Sequence, residues 1–380
     1  MLRLSGSPGV GKSAVGWAIA QHIAELGERV GYVDIDQLGM CYPARAHDPD
    51  RWRLKERALS RIARRHQRAG ARRLVVSGVA FPDAPPPTYA AFDVRSLWLD
   101  AAPEVRRSRL RVRGWSAEQE ADVVRVGTEE ASRLDRTWER LSTDGLTRDE
   151  TVDAVLARWP IGTVPETRGT ARGMVRGASA VSGSSDAAVA DRAAQVLAPE
   201  EPGRLPARVL WVTGPRCVGS STVGWLLAAE AWQRDRRTGF IDLAQLSFTW
   251  NLGGSVGLDN GVALGETFAE DGAEQLVVVA PLEVAPAEVL AAFSGAEVRV
   301  IRLSASARLL QRRALDRTRG LGPLLPGDDL FGASAADAEA LVDSALARQR
   351  IAPRLDETLV DTDGLEPAEA MTRVATAAGW

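Results

Sequence analysis

The chain has 380 residues, 45% hydrophobic and 26% charged, with 47 basic against 50 acidic side chains for a net charge of −3. That length suffices for two ordinary domains, each burying its own core, and the balanced charge removes any bulk electrostatic reason to expect nucleic acid or an anionic membrane as partner. The two cysteines, Cys41 and Cys217, form no disulfide framework or metal-ligand pattern, and no apolar run approaches the roughly 20 residues needed to span a bilayer, so a reducing cytoplasm is the expected setting.

The first element is a short apolar strand, Met1 to Leu4, followed directly by Gly6-Ser7-Pro8-Gly9-Val10-Gly11-Lys12-Ser13. This octapeptide fills every required position of the phosphate-cradling pattern G-x-x-x-x-G-K-[ST]. Val15, Ile19, Ile23 and Leu26 then recur at helical spacing. In that strand–loop–helix setting the loop backbone, with Ala14 in the first helical turn, turns N–H groups onto phosphate oxygens, and the helix N-terminus adds positive partial charge. Lys12 reaches the terminal phosphates and the Ser13 hydroxyl helps hold Mg²⁺. Lys12 and Lys55 are the only lysines in a chain that otherwise uses arginine, and the two residue types are not interchangeable in such a loop.

Val30 to Asp36 reads as a strand ending in an Asp34-x-Asp36 pair, with both carboxylates on one side by strand alternation. Strand ends of a parallel α/β sheet open onto the ligand crevice. One carboxylate, assigned to Asp34, can then help hold the metal, while Asp36 can take a proton from an attacking hydroxyl. A polar loop, Met40 to Asp50, leads to a helix over about Arg51 to Ala69, and Leu74 to Val79 is a buried parallel strand with Ser77 where a metal-binding aspartate would be expected. The proline-rich excursion from Phe81 to Phe92 borders the acceptor pocket in this reading. Another strand, Val94 to Leu99, precedes an arginine-rich helix opening at Pro103 and a polar stretch to about Gly127 that suits a mobile lid. Arg109 and Arg113, one turn apart, are the candidates for charge stabilisation during transfer. Thr143-Asp144-Gly145 turns the chain into a closing helix, Arg148 to Trp159.

A shift of 208 positions superposes Gly6 on Gly214, Gly11 on Gly219, Ser13 on Ser221, Trp17 on Trp225 and Asp34 on Asp242. Later features recur in the same order, down to STDGL at Ser142 and DTDGL at Asp361. The expected organisation is therefore an α/β chain of two tandem P-loop domains, residues 1–159 and 207–380. A linker over residues 160–206, rich in small residues and proline, joins them, with a short helix near Ala187–Leu197. In the second copy Ser220 replaces the lysine and Ala244 the second carboxylate; Arg216 is the cation within that loop that could stand in. Losing a charge-assisted phosphate contact costs about 1.5–3 kcal/mol, so a catalytically inert partner domain is expected.

Each half resembles the small P-loop kinases of the shikimate, gluconate, adenylylsulfate and chloramphenicol phosphotransferase type. The resemblance rests on GSPGVGKS, the Asp34-x-Asp36 pair, the WLDAAPEVRRSRLRVRG stretch and the STDGL turn. It implies two tandem P-loop NTPase domains, each a five-stranded parallel sheet flanked by helices with the P-loop strand in the middle, lid arginines that clamp phosphates, and Thr143 and Asp144 beside the adenine. The expected activity is ATP- and Mg²⁺-dependent transfer to a small hydroxyl-bearing acceptor. The competing expectation is a nucleotide-binding regulatory or structural protein whose ATP occupancy sets the arrangement of its two halves.

Overall fold

The computed structural model describes residues 1–112, 116–161, 203–252, 256–321, 327–354 and 356–380. The linker expected over residues 160–206, and its helix near Ala187–Leu197, fall almost wholly outside them, as does Arg113.

The first half contributes strands β1 (Leu2–Ser5), β2 (Val30–Asp34), β3 (Cys41–Tyr42), β4 (Arg73–Ser77), β5 (Arg95–Asp100) and β6 (Glu139–Ser142). Its helices are α1 (Lys12–Glu25), α2 (Trp52–Arg68), α3 (Pro103–Val112), α4 (Ala117–Ser132) and α5 (Arg148–Leu156). The second half supplies β7 (Arg208–Gly214), α6 (Ser220–Gln233), β8 (Thr238–Asp242), β9 (Thr249–Trp250), α7 (Gly257–Glu270) and β10 (Gln275–Pro281). After these come α8 (Pro286–Ala292), β11 (Glu297–Ser304), α9 (Ala307–Thr318), α10 (Ala335–Gln349), β12 (Glu357–Asp361) and α11 (Pro367–Ala378).

Two mostly parallel sheets result, ordered β6-β5-β1-β4-β2-β9 and β12-β11-β7-β10-β8-β3. In each, the strand entering the glycine-rich loop is interior. The expected strand count of five is corrected to six, because each half lends a two-residue strand to the other. β9 pairs antiparallel with β2, through Val30↔Trp250 and Gly31↔Thr249, and β3 pairs antiparallel with β8, through Cys41↔Gly239 and Tyr42↔Thr238. Backbone bonds from Tyr32 N to Phe248 O (3.0 Å) and from Phe240 N to Met40 O (2.7 Å) extend the two junctions. The exchange covers the edges of β2 and β8, which would otherwise present unpaired N–H and C=O groups.

Behind the exchanged strands, α2 packs on α7. Val33, Leu59, Ile62 and Val76 of the first half lie in one buried cluster with Ile241, Leu264, Phe268 and Val278 of the second. The two halves thus share a core across the junction. Phe248 and Trp250 meet Trp17 edge-on, with ring centroids 4.7 and 5.2 Å away.

The two sheets differ at one matched spot. Gly239 lies under the Phe268 ring, and Gly31 lies under the ring of His66. His66 is fully buried with neither ring nitrogen hydrogen-bonded, and burial pushes its pKa down to about 4. A histidine held neutral in the fold but protonated in the unfolded chain loses stabilising effect as pH falls from 6.5 toward 4. His66→Phe is therefore expected to gain about 3 kcal/mol relative to the parent between pH 7 and pH 4. Paired urea titrations at the two pH values measure this, and an unchanged difference would mean that the ring is solvated.

Candidate active site

The octapeptide forms the loop between β1 and α1, with Gly6, Gly9 and Gly11 at φ +141°, +87° and +97°. Gly6 has a second constraint: a Cβ there would come within 2.2 Å of the Leu99 carbonyl oxygen of β5. No side chain caps α1, so its first N–H groups face the loop's concavity, the arrangement that receives an anion. Lys12 is 8% exposed and its Nζ donates to the Ser7 carbonyl oxygen at 3.0 Å.

Across the loop, Ser13 Oγ donates to Asp34 Oδ2 at 3.1 Å. Asp34 is buried, and desolvation, reinforced by the negative charge of Asp36, pushes its pKa up to about 6. A buried carboxyl short of positive charge beside a hydroxyl offers two hard oxygen donors, a set that suits Mg²⁺, which keeps most of its waters and uses few protein ligands. Among the described residues no cluster of three or more His, Cys, Asp or Glu could form a fuller metal cage.

Asp36 does not lie on the strand, so strand alternation does not aim it. β2 ends at Asp34, whose Oδ1 accepts the Asp36 N–H at 3.0 Å and so caps a 3-10 turn over Ile35–Gly39. The capping bond turns the chain off the sheet and leaves the Asp36 side chain about half exposed, 3.6 Å from Lys55 Nζ. Lys55 Nζ also lies 4.9 Å from the Trp52 ring centroid, and Trp52 meets Phe81 edge-on at 6.1 Å.

Arg109 sits behind the loop. Its guanidinium donates to Val10 O (3.2 Å), Thr143 Oγ1 (2.9 Å) and Thr143 O (3.1 Å), tying the loop backbone to the β6–α5 turn. Thr143 is buried there, and Asp144 accepts the Ala102 N–H at 2.8 Å. The structure thus groups Lys12, Ser13, Asp34 and Asp36 at the crevice, and places Arg109, Thr143 and Asp144 around the loop as its frame. Ser77, at the end of β4, is buried and hydrogen-bonded to the Tyr32 hydroxyl at 2.7 Å.

The polar stretch expected as a lid up to Gly127 lies mostly in helix α4. Its start carries a capping box, in which Ser116 and Gln119 exchange side-chain and backbone hydrogen bonds, a signal present in the sequence as Ser-x-x-Gln. α4 rests on the loop: Ser7 Oγ donates to Gly127 O at 2.8 Å and contacts Glu130 Oε2 at 3.3 Å. A Cβ at Gly127 would fall 2.3 Å from an Arg106 nitrogen and 2.5 Å from Ser7 Cβ, so only glycine allows this approach. Burial holds the Glu130 carboxyl above its usual range, with Ser7 and the Lys12 charge acting in the opposite direction. Glu130 is a site neighbour that the sequence did not reveal, being more than 100 residues from the octapeptide, and Arg106, one of the arginines of the helix opening at Pro103, packs between α4 and the loop.

The second half keeps the frame. Ser221 Oγ donates to Asp242 Oδ2 at 2.9 Å, Asp242 caps the following turn through Ala244 N at 3.1 Å, and Arg313 donates to the Val218 carbonyl. Arg216, the cation that could replace the missing lysine, is instead bonded through both terminal nitrogens to Asp329, and Arg317 pairs with Asp328. Among the described residues no helix is long and apolar enough to cross a membrane.

No protein-family model matches the chain, and no curated protein does. Among solved structures it is similar to a tunicamycin resistance protein from Deinococcus radiodurans, at 17% identity and a TM-score of 0.30, over 46% of this chain and 96% of that one. It is also similar to a gluconokinase from Sinorhizobium meliloti 1021, at 19% identity and a TM-score of 0.30, again over 46% of this chain and 96% of that one.

Proposed function

We propose that this chain is an ATP-dependent kinase of a small hydroxyl-bearing molecule, with its chemistry in the first half and a catalytically inert second half. The observation that carries this reading is the meeting of Lys12 and Ser13 at the N-terminus of α1 with Asp34, which is bonded to Ser13 through one oxygen and to the Asp36 N–H through the other, against Ser220 and Ala244 at the matched places of the second half.

In this reading the triphosphate lies in the loop, cradled by backbone N–H groups of the Gly6–Ala14 segment. Lys12 leaves the Ser7 carbonyl for the terminal phosphates. A Mg²⁺ ion held through Ser13 and Asp34 would neutralise charge on the β- and γ-phosphate oxygens. Asp36 accepts the proton of the acceptor hydroxyl as its oxygen bonds to the γ-phosphorus and the bond to the bridging oxygen breaks, releasing ADP. Arg109 keeps the loop in register with the turn at Thr143 and Asp144, where the adenine would lie. Trp52 and Phe81 border the acceptor side. The setting is cytoplasmic, with no nucleic-acid or membrane partner.

The test is a panel of hydroxyl-bearing metabolites screened for stimulated ADP release. Asp36→Asn is expected to lower stimulated turnover about 10²- to 10⁴-fold, the usual contribution of a positioned base; unchanged turnover would remove Asp36 from that role. Glu130→Gln is expected to tighten ATP–Mg²⁺ binding about tenfold, roughly 1.4 kcal/mol, because it takes a negative charge away from the phosphate site. Titration calorimetry measures this, and weaker binding would show the carboxylate to be a contributor.

The alternative reading, in which nucleotide occupancy rearranges the halves, has less support. Two exchanged strands and a shared core resist such movement. Scattering profiles that change with ATP–Mg²⁺, without transfer to any acceptor, would favour it.

A further inference from the structure

Lys55 is one of two lysines among 47 basic residues, and like Lys12 it is buried in the first half, 7% exposed. The helix position is fixed by its backbone N–H bond to Arg51 O at 2.9 Å. Its stem crosses Gly39, where an added Cβ would come within 2.5 Å of Lys55 Cε. The ammonium ends between the Trp52 ring, 4.9 Å away, and the Asp36 carboxylate, 3.6 Å away. Burying an ammonium is costly unless a partner offsets it, and here the carboxylate belongs to the crevice.

The second half supplies an internal control. Its matching turn, Leu243–Leu246, forms with Asp242 as cap and Ala244 in the place of Asp36. The counterpart of α2, helix Gly257–Glu270, carries no basic residue at all. The turn therefore folds without the ion pair, and both partners are missing where the loop lysine is missing. A pair that were only a fold element would be needed equally in both halves.

We propose that Lys55 is a second functional lysine, a positioning residue whose ammonium holds the Asp36 carboxylate toward the acceptor hydroxyl. This rests on the kinase reading above.

Two measurements decide it. In protein labelled with [¹⁵N]lysine, the two lysines give two Nζ resonances, and Asp36→Asn should shift one of them while leaving the other, assigned through Lys12→Met, in place. Absence of that shift overturns the pairing whether or not an acceptor is known. In turnover, Lys55→Met should lower kcat at least 30-fold while the Kd for ATP–Mg²⁺ stays within twofold. The Asp36→Asn/Lys55→Met double variant should be no slower than Asp36→Asn alone, because the two residues act as a unit. Unchanged kcat in Lys55→Met, or additive losses in the double variant, overturns the proposal. If the parent protein phosphorylates nothing, the kinase reading falls, and the Nζ shift still decides the pair.

Discussion

Lys12→Met is expected to lower phosphoryl transfer about 10³-fold, roughly 4 kcal/mol of transition-state stabilisation. The side chain is buried with its ammonium on the Ser7 carbonyl, and methionine keeps its length without the charge. The charge matters most as negative charge redistributes over the transferring group, so the loss should appear chiefly in kcat. The converse substitution sharpens the point. Ser220→Lys in the second half should improve nucleotide affinity there and still give no transfer, because Ala244 offers no carboxylate and Arg216 is already bonded to Asp329. Single-turnover measurements on both variants test the assignment of chemistry to the first half. Undiminished transfer in Lys12→Met would place the chemistry elsewhere.

The second large effect concerns the junction between the halves. Asp271, at the end of α7, is 7% exposed and accepts hydrogen bonds from Arg57 of the first half (3.0 Å) and from Arg237. Its backbone carbonyl accepts from Arg45 (2.8 Å) and Arg237 (2.9 Å), and Arg237 also donates to the Pro43 carbonyl just beyond β3. Asp271→Ala would leave the buried Arg237 guanidinium without its counterion, and destabilisation of about 3–5 kcal/mol is expected. Arg61→Ala is the control: it removes the more open pair with Glu270 and should cost no more than about 1 kcal/mol. Urea denaturation of the full chain measures both. Equal small losses would show the junction to be held by its apolar core alone.

The site was legible in the sequence to the extent that it is local. Gly6 to Ser13 are contiguous, and a loop that needs backbone N–H groups plus one lysine and one hydroxyl writes its whole requirement into eight letters. Asp34 and Asp36 were legible as a pair, but their geometry was not: a capping hydrogen bond, and not strand alternation, orients Asp36. Lys55 stood out only by its rarity, and its meaning came from the turn of α2 that brings it to Asp36. Glu130 gave no signal, because α4 reaches the loop through a close approach at Gly127 that no local pattern encodes.

The fold divides in the same way. Apolar runs determined the inner parallel strands, such as Leu2–Ser5 and Arg73–Ser77, since a strand buried on both faces must be apolar along its length, whereas the outer strand Glu139–Ser142 has one buried residue and no such run. Loop and helix chemistry determined where in the first half a phosphate site is proposed, and the altered residues at Ser220 and Ala244 determined that the halves are unequal. Only the tertiary structure decided that the halves interlock. Cys41–Tyr42 and Thr249–Trp250 are too short to show any period, and each becomes a strand because an open sheet edge in the other half offers it partners.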